Sequence, residues 1–127
     1  MSVKVLIADD HRLFAEALRA ILSADERIEV VGLAISGEDA VSQAGDLAPD
    51  VVLMDISMPG VDGLEATRQI LDVRPQARVL MVTGSDAPED VDAARGAGAS
   101  GYVTKDRIAA ELVVAILSVA ASPLPLP

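Results

Sequence analysis

The chain has no cysteine and no tryptophan, and Phe14 and Tyr102 are its only aromatic residues. Without cysteine there is neither a disulfide framework nor a thiolate metal site, and a reducing compartment is compatible with the fold. Long apolar runs are missing too. The longest, Leu112 to Leu117, falls far short of the ~20 residues that cross a bilayer. Asp9 and Asp10 interrupt the opening stretch MSVKVLIADD, which therefore lacks the apolar region and cleavage site of a secretion signal. The expected location is the cytoplasm. Basic charge is also scarce: ten Lys and Arg stand against twenty Asp and Glu, a net charge of −10. That balance repels phosphate backbones and anionic lipid, so this chain by itself is expected to bind neither DNA nor a membrane. The shortage of aromatics argues equally against base stacking.

What is present points to one packed domain. Of 127 residues, 51% are apolar, enough for a core without staples. Strand-length runs at Val3–Ala8, Ile28–Ala34, Val51–Met54, Val79–Thr83 and Gly101–Val103 alternate with helical periodicity. The runs at Val3, Val51 and Val79 are unbroken and rich in β-branched residues, the pattern of strands buried on both faces of a parallel sheet. Asp10 is a candidate cap for a helix over His11–Ala24. Ser36-Gly-Glu-Asp39 resembles a capping box for a second helix, to about Asp46. Asp62 opens a third that ends before Pro75, and Asp86-Ala-Pro-Glu opens a fourth, closed by Gly96-Ala-Gly98. Asp106 is the expected cap of a fifth, Arg107–Ala120. Strict alternation of this kind predicts an α/β fold with right-handed crossovers and helices on both faces of the sheet.

Ligands of such sheets bind at the carboxyl ends of the strands. The first strand ends in Asp9-Asp10, and the third, DVVLMD, stops on Asp55. If these strands are neighbours, three carboxylates meet in one small volume and repel by several kcal/mol. A cation among them removes the conflict, and hard oxygen ligands favour Mg²⁺, or Mn²⁺, over zinc. The Gly-rich loop that cradles a prebound phosphate is absent from this position. Thr83 ends the fourth strand and Lys105 follows the fifth, at the same edge. A hydroxyl and an ammonium facing three acids and a dication make sense if a new anion must be held there, such as a phosphoryl group captured by Asp55. His11, beside the acids, reads as an exposed residue in a first helical turn. Met54, Met58 and Met81 read as core or loop filler.

VLIADDHRLF, LMDISMPGVDGLEA, Thr83-Gly84 and GAGASGYVTKD together resemble a response-regulator receiver domain, and specifically the receivers of NarL/FixJ (LuxR-type) transcription factors. The resemblance implies a flavodoxin-like (βα)₅ doubly wound sheet of order 2-1-3-4-5. It implies phosphotransfer from a sensor histidine kinase to Asp55, with Mg²⁺ held by Asp10 and Asp55 directly, by Asp9 through water, and by the backbone carbonyl of Ser57. Thr83 and Tyr102 would form a switch pair, and Lys105 would bind the phosphoryl group. Pro59, Gly60 and Gly63 would shape the loop after the phosphoacceptor. Ser57 stands where many receivers carry Asn.

On the fifth helix Arg107, Glu111 and Ser118 form one narrow polar stripe, and the other positions from Ile108 to Ala120 are apolar. Leu13, Ala17 and Ala20 widen the apolar arc of the first helix in the same way. Surplus apolar surface of this kind commonly marks an interface. The expected interface residues are Leu13, Ala17, Val113 and Leu117, in a homodimer through helices one and five or against an output domain. Residues 1–121 then form the receiver and 122–127, a Pro-rich tail, the start of a linker to a DNA-binding output domain absent from this chain. An aspartyl-phosphate-forming, Mg²⁺-dependent phosphatase or phosphotransferase is the competing reading; a flavin electron carrier is a weaker third.

Overall fold

Strands and helices alternate along the whole of the computed structural model, which describes residues 2–58, 60–84 and 87–121. In chain order they are β1 (Val3–Ala8), α1 (Arg12–Ser23), β2 (Ile28–Ala34), α2 (Gly37–Leu47), β3 (Val51–Asp55), α3 (Gly63–Val73), β4 (Arg78–Thr83), α4 (Pro88–Gly96), β5 (Gly101–Thr104) and α5 (Ile108–Ala121). Pro59, the expected cap at Asp86 and the tail 122–127 lie outside the described residues. The five strands are parallel and ordered β2-β1-β3-β4-β5, the expected topology. The chain leaves β1 toward β2 on one side and returns to β3 on the other. A crevice therefore opens at the carboxyl ends of β1 and β3.

Val5, Leu6, Ile7, Val51, Val52, Leu53 and Met54 are all buried, because β1 and β3 are covered on both faces. One face packs Val5, Ile7, Val51, Leu53, Leu80 and Val82 against Leu18 and Leu22 of α1 and Leu112 and Ile116 of α5. The other packs Leu6, Val52, Met54, Val79 and Met81 against Ala40, Ala44, Ala66, Ile70 and Ala94, contributed by α2, α3 and α4. The two layers are unequal: large branched side chains fill the first, and alanines draw the helices close in the second.

The helix starts differ instructively from expectation. Ser36 Oγ accepts from the Asp39 N–H at 3.1 Å and Asp62 Oδ1 from the Glu65 N–H at 2.9 Å, as expected of caps. The Asp39 carboxylate, however, accepts from the Ile35 N–H rather than closing a capping box on Ser36. Asp10 does not cap α1. Its N-cap is His11, with no side-chain bond to the helix, and the turn into it is made by Asp9, whose Oδ1 accepts from the His11 N–H at 2.7 Å. Asp106 does not cap α5 either; it lies in a 3₁₀ turn, Lys105–Arg107, that precedes the helix. Both departures turn polar residues toward the strand ends.

Candidate functional site

Asp9 follows the last residue of β1, where its N–H still donates to Ala34 O across the sheet at 2.9 Å. Its side chain is 2% exposed, and that of Asp55, the last residue of β3, is 1% exposed. Each carboxylate is satisfied on one oxygen only. Asp9 Oδ1 takes the His11 N–H, and Asp55 Oδ1 takes the Ser57 N–H at 3.1 Å. Oδ2 of both residues is buried and meets no hydrogen-bond donor among the described residues. An unmet buried acceptor costs ~1–3 kcal/mol, and more when charged. Burial pushes the Asp9 carboxyl above its ordinary range, and the nearby Asp55 charge adds to the rise; the His11 N–H, the second-largest influence, and Lys105 oppose it. Asp10 is exposed on the rim. One ligand atom from each of Asp9, Asp10, His11 and Asp55 lies within 4.8 Å of the others. Buried oxygens that lack a donor, ringed by further carboxylate, fit a divalent cation.

Lys105 approaches from the end of β5, with Nζ 3.6 Å from Asp55 Oδ1. The same ammonium lies 5.3 Å from the centroid of the Phe14 ring on α1. Thr83, buried at the end of β4, lines an open cleft of about 360 Å³ with Ile56, Ser57, Gly84 and Asp90. Asp9, Asp10, Asp55 and Lys105 are thus brought together, with Thr83 beside them. Tyr102 is not part of this group. It stands on β5 opposite Met81, is exposed, and borders a second cavity, of about 290 Å³, with Val91 and Ala94 of α4.

The expected interface residues divide. Leu13 is 88% exposed and Ala17 is exposed. Val113 and Leu117 are half-buried and pack against the α1/α5 side of the core, so only part of their surface is available. Val114, at 70% exposed, is the residue that the sequence reading missed. A signal existed: Val114 falls seven residues after Arg107 and three after Glu111, on the polar stripe itself. Phe14 was missed as well, since its approach to Lys105 depends on how α1 crosses the sheet edge, which no local pattern reports. His11 is exposed at the start of α1, as expected.

The sequence matches the response regulator receiver domain family over residues 5–117. The chain belongs to this family. It is 44% identical over 117 residues to the response regulator GacA of Pseudomonas aeruginosa, an alignment covering 92% of the chain and 55% of GacA. The chain spans about half the length of the curated relatives that it matches. The signal receiver domain of NarL from Mycobacterium tuberculosis superposes with a TM-score of 0.91 at 35% identity, covering 96% of this chain and 98% of that one. The CheX–CheY–BeF₃–Mg²⁺ complex of Borrelia burgdorferi gives 0.86 at 27%, covering 94% and 90%. The protein is therefore a receiver domain of two-component response regulators, of the NarL/LuxR type. That membership does not favour the phosphatase reading, and the flavodoxin-like order of the receiver's sheet is the expected one.

Proposed function

We propose that this receiver captures a phosphoryl group on Asp55, in the presence of Mg²⁺ (or Mn²⁺), and that the modified aspartate switches its surface. The observation that carries the reading is the pair of buried, donor-less oxygens on Asp9 and Asp55 with Lys105 alongside. Asp9, Asp10 and Asp55, with the Ser57 carbonyl, would hold the cation. When bound it offsets negative charge on the attacking carboxylate and the phosphoryl oxygens. A carboxylate oxygen of Asp55 attacks phosphorus in line. The new O–P bond forms as the P–N bond to a phosphohistidine of a sensor kinase breaks, and the leaving imidazole takes a proton from solvent. Lys105 and Thr83 then bind the added oxygens. Tyr102 then changes rotamer, and the face carrying α4 and α5 shifts its population between two packings.

The receiver acts in this reading as a switch that assists its own phosphorylation and hydrolysis and turns over no diffusible substrate. Its output is association: a homodimer through α1 and α5, and DNA control by an output domain joined through the tail at 122–127. Exposed Leu13 and Val114, on the two helices that cover the same sheet face, support that surface. Cytoplasmic action fits a chain in which no helix among the described residues is long and apolar enough to cross a membrane.

Intact-mass measurement after incubation with acetyl phosphate tests the core of the reading. One phosphoryl adduct is expected, dependent on Mg²⁺, prevented from forming by a chelator added beforehand and lost in Asp55→Asn. An adduct that survives Asp55→Asn, or none on the native chain, sinks it.

A further inference from the structure

His11 is spent neither on its helix nor on the core. It occupies the N-cap of α1 with extended backbone angles and caps nothing with its side chain. Its N–H is tied to Asp9 Oδ1, and this tie turns the ring back over the acids. Nδ1 lies 3.4 Å from Asp9 Oδ1 and 3.4 Å from Asp10 Oδ1, while the side chain is 68% exposed. A ring nitrogen thus belongs to the same set of potential ligand atoms, all within 4.8 Å of one another, as Asp9, Asp10 and Asp55. Donors of a tetrahedral ion at ~2.0–2.2 Å stand ~3.3–3.6 Å apart. The two 3.4 Å separations from Nδ1 already meet that spacing, and the remaining donors must close in from at most 4.8 Å. Independently, the buried Oδ2 atoms of Asp9 and Asp55 lack any donor among the described residues, so the cluster itself calls for a cation.

Three carboxylates alone suit a hard ion. Adding an imidazole changes the class, because neutral imidazole is a favoured ligand of the later first-row ions and a poor match for magnesium. We propose that His11 converts the acidic pocket into a mixed nitrogen–oxygen site that takes Zn²⁺ in competition with Mg²⁺. The inference rests on the reading that the same carboxylates hold the cation for phosphorylation. Its consequence is a brake. Zinc bound tetrahedrally by Asp9, Asp10, His11 and Asp55 has its coordination filled, leaving no position for an incoming phosphoryl oxygen. Octahedral Mg²⁺ on the carboxylates keeps positions open. A receiver loaded with zinc would be refractory to its phosphodonor, so this signalling step would fall as free zinc rises.

The test is a pair of equilibrium titrations, Zn²⁺ and Mg²⁺, on the native chain and on His11→Gln, with Co²⁺ as a spectroscopic stand-in for zinc. The native chain should bind both ions competitively, and its cobalt complex should show the intense visible bands of four-coordinate geometry. In His11→Gln the ratio of zinc affinity to magnesium affinity should fall by roughly tenfold or more, the scale seen when even an outer-shell partner of a metal site is lost, and the cobalt bands should weaken. The imidazole NMR signals of His11, the chain's one histidine, should shift far more with Zn²⁺ than with Mg²⁺, and the ring nitrogen should lose its titration only with Zn²⁺. An unchanged affinity ratio, or imidazole signals indifferent to zinc, overturns the proposal while leaving the phosphoacceptor reading intact. Failure of Mg²⁺ to bind the native chain at all would instead strike at that reading. His11 is exposed and uncapped, so the variant should fold, and its far-ultraviolet circular dichroism checks that.

Discussion

Lys105 is held from two sides, by the Asp55 carboxylate at 3.6 Å and by the face of Phe14 at 5.3 Å. A flexible ammonium stem that must meet a phosphoryl oxygen gains from having its position set in advance. A cation–π contact at a partly exposed site contributes ~0.5–1 kcal/mol. Phe14→Leu should therefore slow phosphorylation by acetyl phosphate about two- to fivefold, given that 1.36 kcal/mol is tenfold in rate. A rate equal to the native one would show that the ring positions nothing. At the far end of the molecule, Arg27 donates through its backbone and guanidinium to both oxygens of Asp25. These bonds pull the Asp25 carboxyl down to about 2 from an ordinary 3.8. Because the folded value is the lower, the pair's contribution is complete above about pH 4 and lost as pH falls toward 2. A carboxyl NMR titration of Asp25 checks the value, and a midpoint near 4 contradicts the contact. At this scale the sequence was legible wherever a polar residue terminates an apolar run: Asp9, Asp55 and Thr83 each end a buried strand. Phe14 was illegible as a partner, since the Lys105 ammonium it touches is contributed from the far end of the sheet.

At the scale of elements, α3 is seated directly on the phosphoacceptor loop. A Cβ built on Gly63 would lie 2.5 Å from Asp55 O and 2.8 Å from Ile56 Cα, both backbone atoms with little room to yield. Gly37, at the start of α2, is pressed just as closely by the carbonyl of Val61. Overpacking of this kind costs ~1–3 kcal/mol, so Gly63→Ala should lower the urea midpoint accordingly. It should also depress adduct formation at Asp55 beyond what the loss of folded protein explains. The α1/α5 surface is tested by charge. Leu13→Glu and Val114→Glu, made singly, should lower the light-scattering mass of a phosphorylated dimer, whereas a native mass in both variants excludes this face. Element types and centres were readable from hydrophobic period, but their ends were not. The Asp10 and Asp106 caps failed because other side chains intervene at both helix starts. Asp9 makes the turn that leads into α1, and the hydroxyl of Thr104 bonds Asp106, holding that carboxyl below its usual range.

For the molecule as a whole, the concentration of acids at one sheet edge opposes stability. Two nearly fully buried carboxylates repel each other, and Lys105 offsets only part of that repulsion. Asp9→Asn should raise the melting temperature in metal-free buffer and blunt the further rise that millimolar Mg²⁺ gives the native chain through linkage. A native-like response to Mg²⁺ in Asp9→Asn would remove this residue from the ion's surroundings. The parallel sheet was readable from alternation alone. The strand order came only through family resemblance, because nothing in the period of a strand says which neighbour it will choose.

The unequal filling of the two helical layers has a kinetic corollary. Alanine contacts on the side of α2, α3 and α4 release less solvent-averse area than Leu18, Leu22, Leu112 and Ile116 do on the other. Partial opening should start there, with the amide protons of α2 and α4 trading for deuterium well ahead of those in α1 and α5. The thinly anchored layer includes α4, so the face that the proposed switch would rearrange is also the one that the fold holds least firmly.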